Sequence, residues 1–224
     1  MSLTKTKLCN LALSKLGSER LLLSNFDNDS GMLKDTVDLH YDTTLEELVR
    51  MHRWNCCTSR SKLTNSTTTD PKVPLFEYKE QHSLPANFVR AIYVSDTDEV
   101  FEYGRSRVNY IIDSNKLLSN CPNIWMHYDR VPSVSEMDAL FVQAFATLLA
   151  ARLAVSITGS RDLYLSLLEE FNTVVMPEAR RVNAFDNREL PLVDSAWLEA
   201  TYTSGSSYSN SYPPFSQTSY GSFS

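Results

Sequence analysis

"MDALFVQAFATLLAARLAVSITGS", Met137 to Ser160, is the stretch around which the rest of the chain must arrange itself. Met137, Leu140, Phe141, Ala144, Phe145, Leu148, Leu149 and Val155 cover most of a helical surface rather than one stripe. A helix that is apolar nearly all round belongs at the centre of a packed body. Gly159 ends it and Ser160 opens the next helix. Upstream, Ser133 and Glu136 stand at capping-box spacing, which predicts that helix returns at Ser133.

Partners for this helix lie at both ends of the chain. Leu8, Leu11, Ala12 and Leu16 recur at helical spacing, predicting a helix over about 4–16 with Gly17 as its C-terminal stop. After the polar loop "SNFDNDSG", a second helix is expected over about 31–53. Leu33, Val37, Tyr41, Leu45, Leu48 and His52 form its stripe, and Asp29 or Ser30 its N-cap. Beyond Ser160 a further helix carries Leu163, Tyr164, Leu167, Leu168, Phe171, Val174 and Val175. Pro177 lacks an N–H and is expected to kink or restart it. Arg180, Arg181 and Arg188 mark a solvated final stretch, and "LPLVDSAWLEA" reads as a short apolar docking segment.

The character changes between Trp54 and Ser133. "NCCTSRSKL" reads as a strand and "TNSTTTDPKVP" as an exposed loop. "LFEYKEQHSLPANFVRAIYVSD" gives two strand-like runs broken at Leu84-Pro85. "EVFEYGRSRVNYIIDSNKLLSN" reads as a hairpin around Gly104, with "VNYIID" as second strand and a turn at Ser114-Asn115. "NIWMHYDRVP" is one more strand, ended by Pro132. The expected fold class is α+β: a four-helix bundle (1–54 and 133–200), an inserted small antiparallel β domain (55–132), and an extended C-terminal tail (201–224).

The totals restrict the function. The 224 residues are 42% apolar and 21% charged, a globular balance, and the formal net charge is -6. Phosphate neutralisation needs a basic surface, so the charge argues against a chain whose main task is gripping nucleic acid. No uninterrupted run of about 18 apolar residues appears. Asn10, Ser14 and Lys15 break up any signal-peptide centre, so the N-terminus reads as helix and an intracellular origin is expected. Cys9, Cys56, Cys57 and Cys121 give no C-x-x-C spacing. Adjacent Cys56 and Cys57 would sit on opposite faces of a strand, which argues against joint metal ligation. Reduced, mostly buried thiols are the expectation.

Motifs for chemistry are few. "DLHYD" holds Asp38, His40 and Asp42, but two-residue spacing on a helix turns consecutive members about 200° apart. His82 and His127 lie in the β-rich part without a nearby ligand pair. The six glycines are scattered singly, so no phosphate loop is formed, and neither G-x-S-x-G nor H-E-x-x-H occurs. Glu46-Glu47 and Glu169-Glu170 fit solvated helix faces. The clusters "RMHRW" (50–54) and "EARR" (178–181) are short and sit among acids, so intersubunit or intrahelical pairing is expected over phosphate contact. The expectation is no enzyme, no catalytic residue, no cofactor and no metal.

The order of phrases is more informative. A helix pair precedes "WNCCTSRSKL". "HSLPANFVRAIYV", "YGRSRVNYIID", "IWMHYDRVP", "FVQAFATLLAARLAVSITGS", a second long Arg-bearing helix and "DSAWLEA" follow. From about Lys5 to Ala200 this arrangement resembles the head-to-tail connector, or adaptor, proteins of short-tailed phages, the tail tubular protein A family. The resemblance implies a structural virion protein that forms a ring, typically of twelve copies, beneath the portal protein. Such a ring extends the channel for double-stranded DNA without sequence-specific binding. It carries the tail nozzle protein and fibres or spikes, with host cytoplasm as the site of assembly and no membrane partner.

The chain departs from compact members in its C-terminus, "SSYSNSYPPFSQTSYGSFS". Thr201–Ser224 has no charged residue and cannot build a core of its own. It is expected to act as a strap on the portal, anchored by Tyr202, Tyr208, Tyr212, Pro213, Pro214, Phe215, Tyr220 and Phe223. A flexible tail is the plain alternative. Two other functions compete with the connector: a helical recruitment module acting through this tail without a viral ring, and a tail-associated cell-wall hydrolase. The hydrolase needs a cleft with a carboxylate of raised pKa, and no segment nominates one.

Overall fold

A computed structural model describes residues 3–17, 22–65, 74, 77–98 and 108–186. The chain is mixed α+β, with two small antiparallel sheets inserted between helices. The central helix, α3 (Ala139–Thr158), is long and apolar enough to cross a membrane. It is instead wrapped by protein: α1 (Lys5–Ser14), α2 (Met32–Met51), α4 (Arg161–Glu170) and α5 (Met176–Phe185) all pack on it. Ala144, Ala150, Ala151 and Ala154 are fully buried on α3, and their small side chains let neighbours approach closely. Phe141 and Phe145 fill the space between, edge-on to Trp54 at 5.2 Å and to Tyr41 at 5.2 Å.

Helix ends follow local chemistry, with some corrections to the sequence reading. Thr4 caps α1 through a hydrogen bond from the Lys7 N–H, and Gly17 adopts φ 80° just beyond it. Helix α2 starts from Gly31 without a side-chain cap. Asp29 does not cap it, because its carboxylate accepts the N–H groups of Ser24 and Asn25 in the preceding loop. The capping box at Ser133 and Glu136 forms, but it closes a short 3-10 turn (Val134–Glu136). Asp138 caps α3 itself, accepting from the Leu140 N–H. Gly159 stops α3 in the left-handed region at φ 70°, and Ser160 caps α4.

The last helix restarts at Met176, with Pro177 in the first turn of α5. A π-helical turn, Phe171–Val175, joins α4 to α5, and Met176 donates to the carbonyl of Phe171. The proline ring would meet the carbonyl of Thr173 in regular α geometry, and the wider turn relieves that clash.

The β-rich part is two three-stranded sheets rather than one. β1 (Thr58–Leu63), β6 (Ile124–Arg130) and β3 (Phe88–Ser95) form the first, with β6 central. β2 (Glu80–Ser83), β5 (Lys116–Ser119) and β4 (Tyr110–Asp113) form the second, with β5 central. An isolated Asn65–His82 bridge joins them at one corner. Leu63, Val94, Met126 and Ile124 from the first sheet share a core with Leu117, Leu84 and Val108. β4 and β5 make a hairpin across Ser114-Asn115, where Ser114 takes φ 53°. The hairpin expected around Gly104 lies outside the described residues. Two bulges in β3 bracket the Val89 and Ile92 positions, and Val89 joins the helical core instead of the β core.

Candidate functional site

The two arginine clusters that looked isolated in the sequence meet at the joint between helices and sheets. Helix α2 ends abruptly, with His52 extended at φ -152° and no glycine to cap it. Its last four carbonyls therefore need outside donors. Trp54 turns back and its indole N–H donates to the Leu48 carbonyl at 2.9 Å. The Arg90 guanidinium, from β3, reaches the Arg50 carbonyl at 3.4 Å. The Arg180 guanidinium, from α5, reaches the Met51 carbonyl at 3.4 Å. Cations at a helix C-terminus also complement its dipole.

Asn183 locks the same joint. Its Oδ1 accepts the Asn55 N–H at 2.9 Å, and its Nδ2 donates to the Arg53 carbonyl at 2.9 Å. Asn55 returns a bond to the Asn183 carbonyl at 2.8 Å. His52 stacks edge-on to Trp54 at 5.0 Å. Burial lowers the His52 pKa, and Arg180 and Arg90 lower it further. Arg90 also pairs with Asp129 at 2.6 Å, a carboxylate with no solvent exposure.

The basic character continues across the outer face of the β1–β6–β3 sheet. The register lines up Thr58, Asp129 and Arg90, then Arg60, His127 and Tyr93, then Lys62, Trp125 and Ser95. Lys62 Nζ stands 4.8 Å from the Trp125 ring centroid. His127 is held neutral, its pKa pushed down to about 4 by burial and by Arg60 and Arg53. In a chain of net charge -6, this joint gathers Arg53, Arg60, Lys62, Arg90 and Arg180. It has the charge to hold an acidic surface, and Arg, Trp and Tyr are the side chains that anchor protein interfaces.

The other candidates have structural roles. Asp38 pairs with Lys5 and Lys34, away from joint work with His40 and Asp42. Glu46 pairs with Arg50, Glu47 with Arg152 and Glu170 with Lys15. Ser119 Oγ lies 3.3 Å from His82 Nε2, but both residues have no solvent exposure and the same nitrogen faces the Cys121 carbonyl at 3.0 Å. Among the described residues no group of three His, Cys, Asp or Glu side chains is placed to hold a metal ion. Cys56 and Cys57 lie on a 3-10 turn (Asn55–Cys57), not on a strand, and so share one side. The tail anchors Tyr202, Tyr208, Tyr212, Pro213, Pro214, Phe215, Tyr220 and Phe223 lie outside the described residues.

Sequence reasoning missed Arg60, Lys62, Arg90, Trp125 and His127 as one surface. The alternation in "SRSKL" and "WMHYD" held the signal, but only strand register brings the rows together. The chain matches no protein-family model and no curated protein.

Proposed function

We propose that the chain is a ring-forming head-to-tail adaptor of a short-tailed phage. It docks beneath the portal protein, extends the DNA channel, and supports the tail nozzle and fibres. In this reading α1, α2, α3 and the continuous α4–α5 rod are a four-helix bundle that forms the ring body, and the β module faces a neighbour. It has no catalytic role and no cofactor, and it resides at the head–tail junction of the virion.

The observation that carries the reading is large apolar side chains left bare on helices whose inner faces are already satisfied. Met32 is 86% exposed and Leu39, seven residues on along the same α2 stripe, 73%; Phe185 at the end of α5 is 75% exposed. Ring contacts in this reading bury these side chains, which stand bare on the single chain. The basic joint complements the acidity of the rest of the chain, a pairing suited to head-to-tail contacts that close into a ring.

The tail's part is tested by co-sedimentation with portal rings from the same genome. The full chain is expected in the pellet and a chain ending at Ala200 in the supernatant. Equal pelleting assigns the docking to the helical body. The recruitment-module reading rests on the same aromatic tail and predicts partner binding with no ring.

A further inference from the structure

The 3-10 turn Asn55–Cys57 brings together two cysteines that a strand would have separated. Their sulfurs lie 3.8 Å apart. Cys57 is fully buried in the helical core, and Cys56 is part-exposed. The turn sits where α2 hands over to β1, against the start of α3. There the backbone N–H of Asp138 is directed at the Cys56 sulfur.

We propose that Cys56 and Cys57 form a thiol-oxidation site, in which Cys56 attacks a low-molecular-weight disulfide and Cys57 resolves the adduct to an intrachain Cys56–Cys57 disulfide. The geometry divides the labour. The part-exposed member is the one a reagent reaches, and the buried member lies in the core with its sulfur 3.8 Å from its neighbour's. The acidities follow the same division. The contact with the Cys57 sulfur holds the Cys56 thiol below its ordinary value against partial burial, and a backbone hydrogen bond from Asp138 adds to it. The hydrogen bond to Cys56 and its own burial push the Cys57 thiol up, so it stays protonated while Cys56 is free. A low-pKa, reachable thiol beside a resolving partner is the arrangement that oxidises selectively.

The steps balance. The Cys56 thiolate forms a bond to one sulfur of glutathione disulfide, that S–S bond breaks, and one glutathione leaves as thiolate. The Cys57 thiol gives its proton to that thiolate. Its sulfur then bonds to Cys56 and displaces the second glutathione, which takes a proton from water. Two protein thiols are oxidised and one external disulfide is reduced to two thiols. Such a pair stays open where glutathione and thioredoxin hold thiols reduced and closes in an oxidising medium. Cys9 provides the contrast: it is fully buried and its thiol is pushed up to about 12 by burial.

The test treats the reduced, folded full chain with glutathione disulfide, quenches by alkylation, and digests with trypsin. Cleavage after Arg53 and Arg60 releases Trp54–Arg60, which holds both cysteines. The expected product is that peptide lighter by two hydrogens, formed at least about tenfold faster than Cys9 reacts, as thiolate fraction and access require. In Cys57→Ala the same peptide retains a stable glutathione adduct on Cys56. The proposal is overturned if the wild-type peptide stays a dithiol while Cys121 or Cys9 reacts, or if wild type holds the adduct without closing. The wild-type experiment decides even if the variant fails to fold.

Discussion

Replacing Trp54 by Phe tests whether the helix–sheet joint is built as described. The indole N–H is the donor for the Leu48 carbonyl, one of four carbonyls that α2 leaves without an intrahelical partner. Phe supplies no donor, and the pocket between Phe141 and His52 admits no ready replacement, since Trp54 is 2% exposed. Leaving a buried carbonyl unmet costs about 1–3 kcal/mol. The smaller ring adds roughly 1 kcal/mol for lost packing. The expected loss is therefore about 2–4 kcal/mol, read as a lower urea midpoint by circular dichroism at unchanged slope. A loss below about 0.5 kcal/mol, the range of an ordinary surface substitution, refutes the claim that Trp54 closes the end of α2.

Acid should destabilise the fold through its histidines. His52, His82 and His127 all have lowered pKa values, chiefly from burial. In the unfolded chain they take up protons near 6.5, whereas folded His127 resists down to about 4. The folded state binds fewer protons, so stability is complete above about pH 6.5 and falls as pH drops toward 4. His127→Gln should flatten that slope in unfolding titrations, and an unchanged slope contradicts the assignment. Gly159→Ala should cost about 1–2 kcal/mol from its left-handed backbone alone, because a Cβ there meets nothing within 4 Å. Gly159→Asn should cost less, and the two melting curves decide. Asn183→Ala removes three side-chain bonds across the joint, to Asn55, Arg53 and His52, and should cost about 1–3 kcal/mol by urea unfolding.

The helices were legible because burial imposes a period. Leu8, Val37, Leu45, Phe141 and Leu148 announce their faces, and Gly159 and Ser160 announce a stop and a start. Caps were less legible, because a carboxylate chooses among several nearby N–H groups: Asp29 serves its own loop, and the Ser133–Glu136 box closes a turn before α3. The strand count was partly legible and the division into two sheets was not, since register depends on pairings far apart in sequence. The same limit hid the basic joint. Arg53, Arg60, Arg90 and Arg180 come from four segments, and nothing local says that they converge. For the cysteines one local choice, turn instead of strand, brought together two sulfurs that alternation would have parted.

The measurement that bears most directly on the adaptor reading is electron microscopy of the full chain mixed with the portal ring from the same genome. The account predicts an additional ring seated coaxially on the portal, its subunits in contact through the helical body. Portal rings left bare, with the chain still monomeric beside them, would contradict it.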